Sequence, residues 1–158
     1  MTVSLLEAFV HPSAGEFNNL RLAWIGDAAM QLVVSDLVFE SLPELATTDI
    51  LTDRRKAMVM RDFCAEGAIK LGWDKVAVAG KSFPKDKELT TNMLAEVFEA
   101  VWGAIYKDSG NNQAVVHDVY KRLFPLHALS SNEAAEEAAA ATAEESASAV
   151  QNWWNNID

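Results

Sequence analysis

The chain has 158 residues, a length that suits one domain with a substantial core and a short appendage. Half of the residues are hydrophobic, which excludes a disordered chain, and the formal net charge of −10 argues against a uniformly basic nucleic-acid binder. Residues 131–158 hold six of the acidic residues and no basic one, so a local basic cluster elsewhere can still contact phosphate.

The hydrophobic pattern is helical nearly throughout and predicts an all-α fold. A short helix is expected over 3–10, ended by a breaker cluster at 11–15, and a long one over 17–41. The next helix is predicted from 50 to 71, with Thr47, Thr48 and Asp49 as N-cap candidates and Gly72 as the C-terminal cap. After a polar loop at 80–87, two more helices are expected, one following Thr90 and Thr91 and ending at 106, and one over 113–124.

The last part of the chain has a different composition. We divide the sequence into a catalytic domain at 1–126 and an acidic tail, rich in Ala, Glu and Ser, at 127–158. The tail lacks a core-facing stripe and is expected to remain unpacked. Trp153 and Trp154 are its exception, and they either fold back onto the domain or dock onto a protein partner.

Cysteine use and hydropathy limit the compartment. The lone Cys64 excludes a disulfide framework, fits a small buried side chain, and indicates a cytoplasmic or other reducing location. No signal or transmembrane segment is expected, because no apolar run approaches about 20 residues.

Three acidic residues stand in two strongly apolar helical stretches. Glu96 and Glu99 are three residues apart and share a helix face, and Asp27 follows Gly26 among alanines and large apolar residues. Buried carboxylates are rare unless paired or bound to a metal, so these residues indicate a divalent-cation site. The alternatives are glutamates that face solvent and an Asp27 that caps a new helix after a glycine break.

Two segments stand out: Asn19-Leu-Arg-Leu-Ala-Trp-Ile-Gly-Asp-Ala and Leu94-Ala-Glu-Val-Phe-Glu-Ala-Val-Trp-Gly-Ala. Both resemble the ribonuclease III family, which usually has Asn-Glu-Arg-Leu-Glu-Phe-Leu-Gly-Asp-Ala in the first. His11-Pro-Ser also matches an early His-x-Ser of the family, and the similarity covers about residues 1–126. The compact Mini-III branch has a run similar to the first segment, Leu-Ala-Tyr-Ile-Gly-Asp-Ala, and is active.

The resemblance implies an all-helical endonuclease domain that dimerises and cuts double-stranded RNA with Mg²⁺, Mn²⁺ being an alternative ion. Asp27, Glu96 and Glu99 fall on the family's metal-binding acids, Glu96 replacing a usual aspartate. Leu20 and Ala23 stand where the signature has glutamates, and Ala23 is expected to leave a hole that water can fill beside a weakened metal site.

Other positions carry the family's expected contacts. Trp24 matches a phenylalanine that enters the partner subunit at the dimer interface, with an ordinary core tryptophan as the alternative. The candidates for RNA phosphate contacts are basic residues that could equally form a solvated face: Arg54, Arg55, Lys56, Lys85 and Lys87.

Two functions are therefore carried forward. The first is a metal-dependent endoribonuclease of double-stranded RNA that acts as a homodimer or as a heterodimer with a complete family member. The second is a catalytically degenerate scaffold or binding subunit of a ribonucleoprotein assembly, favoured by the missing glutamates and the acidic balance.

Overall fold

The computed structural model of the protein describes residues 3–81, 83–84 and 87–124. Within these residues every regular element is helical, which confirms the all-α prediction. The α-helices are α1 (Val3–Ala8), α2 (Leu20–Ser41), α3 (Thr48–Val59), α4 (Arg61–Lys70), α5 (Thr91–Asp108) and α6 (Gln113–Leu123). Two 3-10 turns, Pro12–Ala14 and Trp73–Lys75, lie in the connections after α1 and α4.

Threonine side chains cap the beginnings of α3 and α5. Thr47 accepts a hydrogen bond from the backbone N–H of Ile50 at the start of α3, and Thr90 accepts one from Met93 at the start of α5. Such caps satisfy amides that have no partner within the helix. Gly72, at φ 72°, ends the α4 region in the left-handed conformation that glycine adopts without strain. The predictions for Thr47 and Gly72 are confirmed.

The single helix predicted over 50–71 is wrong, because the chain breaks at Met60. This residue has extended backbone angles (φ −69°, ψ 153°), ends α3 and precedes α4. No glycine or proline marks the break in the sequence. Its physical reason is packing: the change of direction lets Met58 of α3 and Cys64 of α4 both enter the main core.

The contact between α2 and α5 is the largest between any two of these helices, and it depends on two glycines. A methyl group on Gly26 would overlap with the backbone carbonyl of Glu99, and one on Gly103 would overlap with the carbonyl of Leu22. The backbones of α2 and α5 are therefore in direct contact, at a distance that any side chain larger than that of glycine would prevent. Gly26 lies inside a continuous α2, so the alternative in which Asp27 caps a new helix is wrong.

An aromatic cluster joins α5 to α6 within the main core. Trp102 and Tyr120, both fully buried, lie with ring centroids 5.0 Å apart, and Phe98 packs 5.8 Å from Trp102 at 72°. Phe124, at the end of α6, contacts all three of these rings. This cluster anchors α5 and thereby fixes the position of its acidic face.

Two further features complete the fold. A single parallel bridge between Val10 and Val78 ties the segment after α1 to the segment after α4, with hydrogen bonds at 2.8 and 2.9 Å. In the described residues one helix, α2, is long and apolar enough to cross a membrane by length and composition alone. Half of this apolar stretch is buried against the rest of the fold, as in a core helix, so it is not a clear membrane span.

Candidate functional site

The α2–α5 crossing brings Asp27 and Glu99 together. Both carboxylates are half-buried. Asp27 follows Gly26 in the sequence, and Glu99 is the residue whose backbone carbonyl contacts Gly26. Burial, followed by the charge of Asp27, raises the pKa of Glu99 to about 7, and Arg61 partly offsets the increase. Two carboxyl groups in this arrangement cannot both ionise without mutual repulsion, which a bound cation would relieve.

Gln31 fixes the orientation of Asp27. Its side-chain amide lies 3.0 Å from Oδ1 and 2.9 Å from Oδ2, so one N–H₂ group donates to both carboxylate oxygens. Sequence reasoning did not identify Gln31 as part of the site. The signal was present, because a residue four positions after Asp27 on the same helix shares its face.

Glu96 lies at the edge of the site and faces a different partner. Its Oε2 is 3.8 Å from Nε2 of His11, and both side chains are about three-quarters buried. Glu96 also raises the pKa of Glu99, although it is the smallest of the contributions there. Glu96 and Glu99, predicted to share one helix face, therefore have different neighbours: Glu99 lies near Asp27, and Glu96 lies near His11.

Two residues of α4 border the acidic pair. Arg61 lowers the pKa of Glu99, and its Nη1 donates to Oδ1 of Asn92 at 3.3 Å. Cys64 is fully buried, as the sequence predicted, and donates weakly to the carbonyl of Val59. Burial, with smaller effects from Glu99 and Asp27, raises the pKa of Cys64 to about 12, so its thiol stays protonated.

The donor set suits a hard divalent cation in its chemistry but is not preassembled for three ligands. Asp27, Glu96 and Glu99 offer carboxylate oxygens, the ligands that Mg²⁺ takes together with water. In the described ranges, no three His, Cys, Asp or Glu side chains are grouped closely enough to bind one ion. The pair formed by Asp27 and Glu99 is the part of the predicted site that the fold brings together.

Ala23 and Leu20 stand where the family signature has glutamates, and the surroundings of Ala23 differ from the expectation. Ala23 is 5% exposed and packs with Val97 and Ala100 in a second apolar cluster. Apolar packing thus occupies the place where we expected a water-filled hole. Leu20 is half-exposed and lines the groove that contains Trp24.

Trp24 is 79% exposed, so the alternative of an ordinary core tryptophan is wrong. It stands with Ile25 and Leu20 along an open groove of about 610 Å³, bordered by residues of α1 and by Lys107. A large aromatic side chain that is mostly exposed to solvent in its own subunit is typical of an interface anchor. Its role as a dimer contact stays a prediction.

The predicted RNA-contacting residues lie on α3 and on the loop before α5. Arg54 and Arg55 are half-buried, and Lys56 is exposed and paired with Asp53 at 3.5 Å. Lys87 is exposed in the loop. Lys85, the tail at 127–158 and its Trp153 and Trp154 lie outside the described residues.

The family profile of the Ribonuclease III domain matches residues 20–110 of this sequence. The chain belongs to the ribonuclease III family. The matched residues contain the whole of the α2–α5 crossing, including Asp27, Glu96 and Glu99. The ribonuclease III family is metal-dependent, and its nuclease domains form dimers.

Relatives and solved structures agree with this assignment. The chain is 38% identical over 104 residues to Ribonuclease 3 of Carboxydothermus hydrogenoformans, covering 65% of this chain and 44% of the relative. It is 33% identical over 109 residues to Ribonuclease 3 of Rhodopirellula baltica, covering 67% and 41%. The chain thus spans less than half the length of these two ribonuclease III relatives.

The fold is similar to the crystal structure of the nuclease domain of ribonuclease III from Campylobacter jejuni. The TM-score is 0.67 with 26% identity, over 77% of this chain and 85% of that one. A second structure of the same domain is described by its flexibility in a region involved in dimer formation, and it matches equally well at 25% identity over 77% and 87%.

Proposed function

We propose that the protein is a metal-dependent endoribonuclease that hydrolyses double-stranded RNA as a dimer. The observation that carries this proposal is the electrostatic contact between Asp27 and Glu99 across the glycine-mediated crossing of α2 and α5. Membership of the ribonuclease III family supplies the reaction class. Because the chain spans less than half of the two curated relatives described above, the activity is inferred for this domain from its own site.

The carboxylates have the chemistry to hold Mg²⁺, with Mn²⁺ as an alternative ion. Asp27 and Glu99 would supply two ligands and Glu96 a third, direct or through water, since Mg²⁺ keeps several waters. A bound divalent cation supplies the positive charge that activates water and stabilises charge on a reacting phosphodiester. Gln31 holds the Asp27 oxygens in place, and a carboxylate oxygen can accept from an amide while a second lone pair faces the ion.

The surroundings of the acids suit an anionic polymer. Arg61 lies close enough to lower the pKa of Glu99 and is itself exposed, so it can contact a phosphate next to the acidic pair. Arg54, Arg55, Lys56 and Lys87 would contact phosphates farther along a duplex, with Lys85 as the remaining candidate. Recognition would then rest on the shape and backbone of A-form RNA rather than on base sequence.

The dimer would use Trp24 as its anchor. In a homodimer, or in a heterodimer with another family member, the exposed indole would enter a groove on the partner subunit. The groove beside Trp24 on this chain has suitable apolar walls in Leu20 and Ile25. Two acidic sites in one dimer would then face the two strands of the duplex.

Cleavage of a long RNA duplex across Mg²⁺ and Mn²⁺ titrations tests the proposal. Wild-type protein should cut, and Asp27→Asn should lose at least about a thousandfold in rate, since cation stabilisation of transition-state charge is worth several kcal/mol. Glu40→Gln is the matched control, because it removes one exposed negative charge from the same helix. An inactive wild type, or an Asp27→Asn variant as active as Glu40→Gln, would contradict the enzyme.

A catalytically degenerate scaffold is the second candidate, and two observations favour it. The described residues hold no preassembled group of three metal ligands, and apolar packing surrounds Ala23, where the family signature has a glutamate. For a scaffold, Mg²⁺ or Mn²⁺ should not increase the melting temperature, and Asp27→Asn should leave the binding of RNA or of a partner protein unchanged. For an endonuclease, the metal ions should increase the melting temperature, and Asp27→Asn should abolish that increase.

A further inference from the structure

His11 approaches the acidic site from outside α2 and α5, the two helices that carry the proposed metal ligands. It follows the end of α1, and its Nε2 lies 3.8 Å from Oε2 of Glu96 on α5. This distance is slightly too long for a hydrogen bond, and a small side-chain rotation or one bridging water would close it. The contact joins the segment after α1 to α5 at the edge of the carboxylate cluster, beside the apolar packing of Ala8 and Phe9 on α5.

The hydrogen bonds of Ser13 determine which nitrogen of His11 carries the proton. The backbone N–H of Ser13 donates to Nδ1 of His11 at 3.1 Å, and the Ser13 hydroxyl lies 2.8 Å from the same nitrogen. A backbone N–H can only donate, so Nδ1 must be an acceptor and the ring proton is on Nε2. The donor of His11 is thereby directed at Glu96.

A third segment fixes the direction of the Ser13 hydroxyl. The backbone N–H of Gly80 donates to Ser13 Oγ at 2.8 Å, which leaves the hydroxyl proton for His11 Nδ1. Gly80 is required there, since a Cβ atom would overlap with the carbonyl oxygen of Ser13. The hydrogen bonds thus run in one direction from Gly80 through Ser13 to His11, with Glu96 beyond it.

The backbone around His11 is held as firmly as its side chain. The His11 N–H donates to the carbonyl of Val78 at 2.9 Å, and Val78 donates to the carbonyl of Phe9 at 2.8 Å. The imidazole therefore starts from a fixed backbone position and has a fixed tautomer. A side chain prepared in this way, at low entropy cost, is suited to orienting a mobile carboxylate.

We propose that His11 is a positioning residue that holds the carboxylate of Glu96 for the divalent cation, with Ser13 and Gly80 fixing its tautomer. This inference rests on the proposed function. Glu96 has one more rotatable bond than the aspartate usual at this position in the family, so it has more freedom to lose when it binds an ion. A fixed donor at Nε2 would restrict that freedom before the ion arrives.

Two substitutions of His11 separate the roles of its two nitrogens. His11→Gln places an amide near the position of Nε2 and keeps a donor toward Glu96, whereas His11→Asn keeps a polar group only near Nδ1. We expect His11→Asn to weaken metal affinity about 10- to 100-fold, the range found for partners of metal ligands, and His11→Gln to recover most of it. Ser13→Ala should weaken affinity only a few-fold, because the backbone N–H still fixes the tautomer.

The measured quantity is metal binding in the absence of RNA. It is determined by calorimetric titration with Mn²⁺ and by the increase in melting temperature with Mg²⁺. Melting temperatures without metal show whether each variant keeps its fold. A double-mutant cycle with Glu96→Gln then tests the partner: in that background His11→Asn should have no further effect on metal affinity.

The outcomes distinguish this inference from the proposed function. If wild-type protein binds the ions and cuts RNA but His11→Asn matches it, or if the cycle is additive, the role of His11 is overturned and the nuclease survives. If wild-type protein binds neither ion, both are overturned.

Discussion

Gly26 of α2 lies directly against the backbone carbonyl of Glu99 in α5, in contact too close to admit a methyl group. The residue after this glycine is Asp27, and the residue that it contacts is the other member of the acidic pair. The glycine thus couples fold to chemistry: the approach that packs the two central helices also sets the separation of the two carboxylates. A change at residue 26 should therefore alter both stability and metal binding.

Gly26→Ala is expected to destabilise the protein by at least about 2 kcal/mol, although alanine has the higher helix propensity by about 1 kcal/mol. The reason is that the contacting atom belongs to the backbone of α5 and cannot rotate away. Metal affinity should fall with stability, because separating the helices separates Asp27 from Glu99. Urea unfolding measures the first effect and the Mg²⁺-dependent increase in melting temperature the second.

Ala28→Gly is the control on the same helix, since Ala28 is exposed. It should cost only the propensity difference of about 1 kcal/mol and leave metal binding unchanged. A Gly26→Ala variant as stable as wild type would show that the helices can separate without loss, and the coupling of packing to site geometry would be wrong.

The sequence was sufficient for the helical architecture, because periodicity located the main helices. It did not predict the contact between α2 and α5, which the structure attributes to Gly26 and Gly103. The break at Met60 could not be predicted, because it results from how α3 and α4 share the core and not from a local breaker. Local patterns report backbone preference, whereas this break is a tertiary effect.

The site was predictable only as far as its acids. Their residue type among apolar neighbours singled out Asp27 and Glu99, and the structure pairs them. The partners of the acids were not predicted. Gln31 lies one helical turn from Asp27, but His11 approaches Glu96 and Arg61 approaches Glu99 from distant segments. Contacts between segments that are remote in sequence leave no periodic signal in a single chain.

The raised pKa of Glu99 predicts how stability varies with pH. Because the folded protein holds this proton more tightly than the unfolded chain does, protonated Glu99 favours the fold at low pH. That contribution is complete below about pH 4.5 and is lost as the pH rises through about 7. Relative to Glu99→Gln, which does not titrate, wild-type protein without metal should lose on the order of 1 to 2 kcal/mol over this range, less than the full change in pKa implies because solvent screens the half-buried carboxylate.

Urea unfolding of both proteins at several pH values between 4 and 8 measures this difference, in which the other titrating groups largely cancel. Mg²⁺ added at pH 8 should stabilise the wild type and leave Glu99→Gln nearly unchanged, since the ionised carboxylate would gain its partner. A difference that stays constant with pH would mean that Glu99 is neither desolvated nor opposed by Asp27.

Trp24→Ala should weaken dimerisation. With 79% of its surface exposed, the indole contributes little to the fold of its own subunit, and loss of an aromatic interface anchor costs about 2 kcal/mol or more. The dimer dissociation constant should therefore rise at least about 30-fold, as measured by sedimentation equilibrium. The specific activity should also become dependent on protein concentration.

Phe39→Ala provides the comparison, because Phe39 is a second exposed aromatic residue, 71% accessible, near the other end of α2. It should leave the dissociation constant unchanged. If the two variants weaken the dimer equally, or if neither does, Trp24 is not the anchor of the interface.

The basic residues of α3 should determine the salt dependence of RNA binding. Arg54→Gln combined with Lys56→Gln removes two positive charges from the proposed phosphate-contacting face. Each lost phosphate contact should reduce the slope of log K against log salt concentration by about one, and affinity should fall for all duplex sequences alike. The ion pair of Lys56 with Asp53 must be exchanged for a phosphate on binding, so the reduction should lie between one and two rather than at two.

The measurement uses Glu99→Gln protein, so that the RNA remains uncut while its binding is titrated from low to physiological salt. Lys121→Gln combined with Arg122→Gln, in the last turn of α6, removes the same charge from another part of the surface. A general electrostatic effect would make the two double variants equal. A surface that contacts the duplex through α3 requires the first to lose both affinity and slope while the second retains its slope, because only released counterions at contacted phosphates contribute to that slope.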